Sequence, residues 1–350
     1  MKKVIVKLED FTKKYGEKEI IKNINLEVYE GEFITLLGSS GCGKTTILRS
    51  ISGMDRPTSG KVYLDGEDVT DVDPTKRQVN TIFQNYALFP LMTIEKNIEF
   101  GLKMKKVPKQ ERKKRVKEMI ELVHLEGYEK RKPKELSGGE QQRVSIVRGL
   151  INNPKVLLLD EPLSALDLKL RKKMQIELKQ LQKKLGITFI YVTHDQDEAL
   201  SMSDRIAVIK DGKIEQIGTP VEVYEKPKSI YVADFLGEAN IFKGIIKDDT
   251  CICEEANIKI MPKFKNDTKV DLIVRPENVK LSKEKNSDLV GTIYEQIYDG
   301  AFTKILIKVN KKIIKAIISG NDKIYKKNDE VYLTWDVEDA IILESENDEK

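Results

Sequence analysis

Gly38-Ser39-Ser40-Gly41-Cys42-Gly43-Lys44-Thr45 fits G-x-x-x-x-G-K-[ST], a phosphate-binding loop, and its setting is right on both sides. Phe33-Ile34-Thr35-Leu36-Leu37 reads as a short buried strand. Thr46-Ile47-Leu48-Arg49-Ser50-Ile51 opens a helix that Gly53 can end. The glycines therefore fall between a strand end and a helix N-terminus. Free backbone N–H groups and the helix dipole favour an anion there. Gly38, Gly41 and Gly43 let the backbone curl around phosphate without Cβ clashes, with Ser39, Ser40 and Cys42 between them. Lys44 is placed to reach β- and γ-phosphates, and the Thr45 hydroxyl to ligate Mg²⁺. The expectation is a bound nucleoside triphosphate.

Outward from this loop, 350 residues suffice for about two domains. A net charge of +4 is too small to argue for nucleic acid. Three cysteines in no metal-ligand spacing suit a reducing compartment. No signal peptide is expected from Met1-Lys2-Lys3-Val4-Ile5-Val6-Lys7. No apolar run approaches the roughly 20 residues that span a bilayer, so any membrane role is expected to be peripheral.

Residues 4–8 and 20–28 alternate as half-buried strands do, with Tyr15 between them. Residues 60–64 and Asp65-Gly66 read as strand and turn, and a further strand runs into the aromatic stretch 83–90. Residues 93–152 look helical, with Pro108 at a first helical position. Val116, Met119, Ile120 and Val123 share one face, and the opposite face is basic. That basic face reads as solvated, with attraction to anionic lipid as a minor alternative. Lys155–Pro162 contains a continuous apolar strand ending in Asp160 and Glu161. A helix covers 167–185, and a buried strand at 187–192 ends at Thr193-His194-Asp195. Alternating strands and helices make residues 1–236 an α/β domain. From 240 to 350 short strands without a long helix predict a small all-β domain, a partly closed barrel. The polar end, 344–350, is expected to fray.

Asp160 sits where a strand-end acid holds Mg²⁺ beside a phosphate loop, and Glu161 can position or deprotonate a water. In Leu136-Ser137-Gly138-Gly139-Glu140-Gln141-Gln142-Arg143, Ser137 and Glu140 form a capping box. The glycine pair behind that cap makes a second anion-binding helix start. Cys42 has two readings. The first is an inert small filler; the second, which is the expectation, is that Lys44 and the helix start favour its thiolate. On the second reading Cys42 labels faster than Cys251 or Cys253, and nucleotide protects it.

The loop, Gln84, LSGGEQQR, LLLDEP, Ser164-Ala165-Leu166-Asp167 and His194 occur in an order that resembles the ATP-binding subunits of ABC transporters. Val274-Arg275-Pro276-Glu277 and Thr334-Trp335-Asp336 resemble the OB-like accessory (TOBE-like) domain of importer ATPases. Gln84–Pro90 and the run from Asp167 to Phe189 are similar to the polyamine importers within that family. The resemblance implies a P-loop ATPase domain over 1–236, with a helical subdomain over about 87–150. It implies ATP and Mg²⁺ as ligands, with Thr45, Gln84 and Asp160 at the metal. Tyr15 would stack on adenine, and Thr46 would join the nucleotide contacts of the loop. Glu161, Gln84 and His194 would act in hydrolysis. Ser137, Gly138 and Gly139 would meet the γ-phosphate held by a second copy, and Asp167 would bridge the two copies. Other implied partners are transmembrane permease subunits and, indirectly, an extracytoplasmic solute-binding protein. No nucleic-acid partner is implied, and the implied place is the cytoplasmic face of the membrane. Glu140 stands where the family usually has Gln, which brings negative charge near a bound triphosphate. The same architecture importing a sugar or iron is the alternative, followed by an ABC ATPase outside transport.

Overall fold

The computed structural model describes residues 2–261, 264–319 and 325–345. The chain divides into two compact units, Met1–Pro220 and Val221–Lys350.

The first unit opens with a long hairpin, β1 (Val4–Tyr15) and β2 (Lys18–Tyr29), followed by β3 (Phe33–Gly38) and α1 (Lys44–Ser52). β4 (Ser59–Leu64), β5 (Glu67–Asp68) and β6 (Val79–Ile82) precede three helices: α2 (Ile94–Met104), α3 (Lys109–Leu122) and α4 (Gly138–Leu150). Then come β7 (Val156–Asp160), α5 (Leu168–Leu185), β8 (Thr188–Thr193), α6 (Gln196–Met202), β9 (Arg205–Lys210) and β10 (Lys213–Gly218).

One sheet is antiparallel in the order β2-β1-β4-β5. The other runs β10-β9-β3-β8-β7-β6, parallel except at β9/β10. β3 and β8 are buried at every residue, which is why their sequences are continuously apolar rather than alternating. That parallel order puts the ends of β3, β8 and β7 side by side, where ligands bind in open α/β sheets. The three helices close on their own core of Ile94, Ile98, Val116, Ile120, Val144 and Val147. Pro108 lies one residue outside α3, at its cap, rather than inside it.

The second unit begins with two short helices, α7 (Pro220–Glu225) and α8 (Ile230–Phe235). The strands are β11 (Asn240–Lys247), β12 (Thr250–Cys253), β13 (Asn257–Lys259), β14 (Lys269–Val274), β15 (Lys280–Ser282), β16 (Val290–Tyr298), β17 (Phe302–Val309), β18 (Lys312–Ser319), β19 (Glu330–Thr334) and β20 (Ile341–Glu344). They form two antiparallel five-stranded sheets on one core. The sequence boundary at 236 falls later than the structural division, because α7 and α8 belong with the strands. Arg275 ties them there, donating to the carbonyls of Tyr224, Ala233 and Glu238, while the Tyr224 hydroxyl donates to Glu277 at 2.6 Å. Of the expected frayed end, residues 346–350 lie outside the described residues, and Glu344 closes β20.

Candidate nucleotide site

The phosphate loop bridges β3 and α1. Gly43 has φ +106°, and a Cβ there would fall 2.2 Å from the Ile21 side chain, so both conformation and space demand glycine. Gly38 is constrained differently. Its φ is ordinary, but a Cβ would meet the Ile209 carbonyl at 2.3 Å. Lys44 is buried and donates to the carbonyls of Gly38 at 2.8 Å and Ser39 at 2.9 Å. Ser39, Ser40, Gly41 and Thr45 are exposed. Tyr15 is half exposed and lies beside Thr46; its hydroxyl donates to Asp55, which also accepts from Arg49. A cleft of about 200 Å³ is lined by Ser40, Gly41, Gly43, Lys44, Thr45, Thr46 and Glu161, with Ile20 at its side.

Across the sheet ends, the Thr45 hydroxyl donates to Asp160 Oδ1 at 3.0 Å. Burial pushes the Asp160 carboxyl up from its ordinary range, against the opposing Thr45 bond, and the neighbouring Glu161 adds to the rise. Glu161 itself turns into a left-handed conformation, φ +44°, with its N–H donating to Val192 O. A non-glycine residue held so is conformationally strained, and it aims the carboxylate out of the strand direction. Glu161 Oε1 lies 3.1 Å from His194 Nδ1, and Oε2 lies 3.5 Å from Gln84 Nε2. Gln84 also donates to the Ser164 hydroxyl at 3.1 Å. Hydroxyl and carboxylate oxygens at Thr45 and Asp160 are the hard donors that Mg²⁺ takes, and it ordinarily uses one or two carboxylates plus substrate phosphates. A carboxylate beside an imidazole and an amide can hold a water and accept its proton.

The structure thus brings together the loop 38–46, Gln84, Asp160, Glu161 and His194. Ser137, Gly138 and Gly139 form no hydrogen bond to that cluster among the described residues. They start α4, where the Ser137 N–H and hydroxyl donate to Glu140 at 2.7 and 2.8 Å. Ser137, Tyr128 and Arg131 hold the Glu140 carboxyl below its ordinary range despite partial burial. Gly138 and Gly139 pack on Leu166 and Leu170, where an added Cβ would come within 3.1 and 3.0 Å. Asp167 caps α5, accepting from the Leu170 N–H at 3.0 Å.

Cys42 follows the inert reading and corrects the reactive one. Its thiol is 6% exposed, and burial pushes it up, outweighing the opposing charge of Lys44. Cys253, by contrast, is partly exposed.

Two positioning groups were not recognised in the sequence. The Gln84 loop carries positive φ at both Tyr86 and Ala87. It is pinned by Arg148, which donates to their carbonyls, and by buried Asn97, which bonds both backbone groups of Phe89. Arg171 donates to Leu166 O at 3.0 Å, just before Asp167, and to Asp195 at 3.2 Å, just after His194. Behind it, Glu198 accepts from the hydroxyls of Tyr191 and Thr193, and burial raises its carboxyl above the ordinary range. Such groups carry no local pattern. Arg171 lies within the run from Asp167 to Phe189, but only the fold reveals both of its partners.

Arg171→Ala is therefore expected to cost about 1–2 kcal/mol, discounted for partial exposure of the pair. The loss grows with pH. A buried carboxyl with raised folded pKa binds its proton more readily in the native state, so stability falls as pH rises from the unfolded carboxyl value, and losing the cation deepens that fall. Urea unfolding at pH 5 and pH 8 checks this, and equal losses would refute it.

Comparison with known families agrees with these features. The ABC transporter model matches residues 21–164, and the TOBE domain model residues 272–343. The chain belongs to the ATP-binding subunits of ABC importers, a P-loop ATPase with a helical subdomain followed by a β-rich accessory domain. It is similar to spermidine/putrescine import ATP-binding proteins. That of Clostridioides difficile (strain 630) is 46% identical over 345 residues, covering 98% of this chain and 99% of the relative. That of Clostridium novyi (strain NT) is 50% identical over 311 residues, covering 88% and 89%. Among solved structures, the ATP-binding cassette MJ0796, a dimer in a post-hydrolysis state with ADP and Pi, has TM-score 0.55 and 40% identity, covering 62% of this chain and 99% of that one. The chain is an ATP-hydrolysing subunit of an ABC importer.

Proposed function

We propose that this chain energises import of polyamines, with spermidine and putrescine as the solutes. The observation that carries this is similarity to spermidine/putrescine import ATP-binding proteins over nearly the whole length, accessory domain included. Thr45, Asp160 and Gln84 would hold Mg²⁺, which supplies positive charge against the phosphates when bound. Lys44 exchanges its two loop carbonyls for β- and γ-phosphate oxygens. Glu161 orients the attacking water and takes its proton. His194 contacts the γ-phosphate while Glu161 fixes its ring, and Gln84 reports on the site through the loop pinned by Arg148. Tyr15 stacks on the adenine.

A cleft of about 200 Å³ is smaller than the ~300–1,000 Å³ that usually encloses a small ligand, which supports a site completed by a second copy. Ser137, Gly138 and Gly139 of that copy close on the γ-phosphate head to tail, and Asp167 meets its counterpart across the seam. The helical subdomain receives the permease, where Leu91, 85% exposed beside the Gln84 loop, offers an apolar contact. No helix among the described residues is long and apolar enough to cross a membrane. In this reading the permease subunits carry the solute and hold this chain at the cytoplasmic face. Nothing in this reading calls for nucleic acid, and the extracytoplasmic solute-binding protein acts through the permease.

The test is reconstitution with the co-purified membrane subunits and solute-binding protein. Spermidine or putrescine should stimulate ATP hydrolysis several-fold. Stimulation by a sugar or ferric iron and not by polyamines would replace the solute assignment.

A further inference from the structure

Cys251 and Cys253 stand two residues apart on β12, so their side chains leave the same face. Their sulfurs lie 3.3 Å apart. The neighbouring strand explains the approach. β11 pairs so that Gly244 faces Cys253 and Ile246 faces Cys251. A Cβ on Gly244 would sit 2.5 Å from the Cys251 sulfur and 2.8 Å from the Cys253 sulfur. Both thiols lean into the space this glycine leaves.

Access is asymmetric. Cys251 is fully buried in the core, while Cys253 is partly exposed at the strand end, where the chain bends through Glu254 and Glu255. Glu255 is held by Lys312 at 2.9 Å. The bond between the sulfurs lets one thiolate form. The S–H of one holds the thiolate of the other below the ordinary thiol range, and either sulfur can be the donor.

We propose that Cys251 and Cys253 form a dithiol modification site in the accessory domain, oxidised by hydrogen peroxide to an intrachain disulfide. The pair shares one proton, so either sulfur can carry the thiolate. At Cys253 the thiolate attacks one peroxide oxygen and the O–O bond breaks. This leaves a sulfenic acid and a hydroxide, which takes the thiol proton of Cys251 as water. The Cys251 thiolate then attacks the sulfenic sulfur. The S–S bond forms, the S–O bond breaks, and hydroxide departs with a proton as a second water. Two thiols and one peroxide give one disulfide and two waters. The sulfurs must close from 3.3 Å to about 2.05 Å for the bond to form. Excess small thiol reverses the reaction.

The test uses the full-length protein. After peroxide treatment it is alkylated in denaturant and cut with trypsin, which places both cysteines in the peptide Asp248–Lys259. The expected product is that peptide two hydrogens lighter and unalkylated, restored by dithiothreitol, with Cys42 still alkylatable. Gly244→Ala keeps both thiols but fills their meeting place, and its Cβ also meets the Ile252 carbonyl at 2.7 Å, so a retained fold must be shown. It should slow the reaction about tenfold, since proximity is what the glycine supplies, with Trp335 fluorescence checking the fold. Cys251→Ser should abolish the two-hydrogen loss. Double alkylation after peroxide, sulfinic acids on both residues, or disulfide-linked dimers in place of the internal bond would overturn the proposal.

Discussion

Glu161→Gln is expected to bind ATP as the parent does and to lose hydrolysis by about 10²–10⁴-fold, the usual share of a positioned general base. The amide keeps the shape and the approach to His194 Nδ1, now 3.1 Å, and to Gln84. It cannot take a proton from water. Binding should survive because Lys44, Thr45 and the loop glycines are untouched. With turnover blocked, ATP-bound dimers should accumulate, visible by light scattering. Phosphate release at the parental rate would remove Glu161 from the base role.

Ser137→Arg is expected to abolish ATP-driven dimer formation while leaving nucleotide binding to the single chain unchanged. Ser137 is remote from the chain's own loop in hydrogen bonding, so the monomer site should not sense it. A bulky cation at the start of α4 would fill the space that a second copy's γ-phosphate needs. The substitution also removes a helix cap, worth about 1 kcal/mol. Ser137→Ala separates the two effects, since it loses the cap hydroxyl without adding bulk and should still dimerise. In a Glu161→Gln background, a dimer with Arg at 137 would count against a site shared between copies.

The elements that position these groups were legible wherever the sequence repeats a local rule. A continuous apolar run ending in acids announced β7, and a glycine series between strand and helix announced the loop. Short strands such as β12, β13, β15 and β20 are not individually legible, because three or four residues carry too little alternation to stand out. The Cys42 thiol was misjudged for a different reason. Neighbouring charge is visible in sequence, whereas desolvation depends on what packs around the sulfur. Arg171 and Asn97 were missed because their partners are backbone groups, which every residue possesses, or, for Arg171, also a carboxylate 24 positions away. The division at Pro220 likewise rests on Arg275 reaching back to the two short helices.

The ends of β3, β8 and β7 lie side by side, yet Thr45 and Asp160 are 115 positions apart along the chain. Groups so distant in sequence meet only after the parallel sheet has closed, so the unfolded chain has nothing comparable to offer a nucleotide. A triphosphate held there, as proposed, would act as a removable staple across three strand ends. At a hundredfold excess over its dissociation constant it adds about 2.7 kcal/mol to the unfolding free energy. On the proposed binding mode, the resistance of this protein to unfolding should therefore rise with ATP concentration. Limited proteolysis with and without ATP would read this as faster cleavage of the nucleotide-free chain.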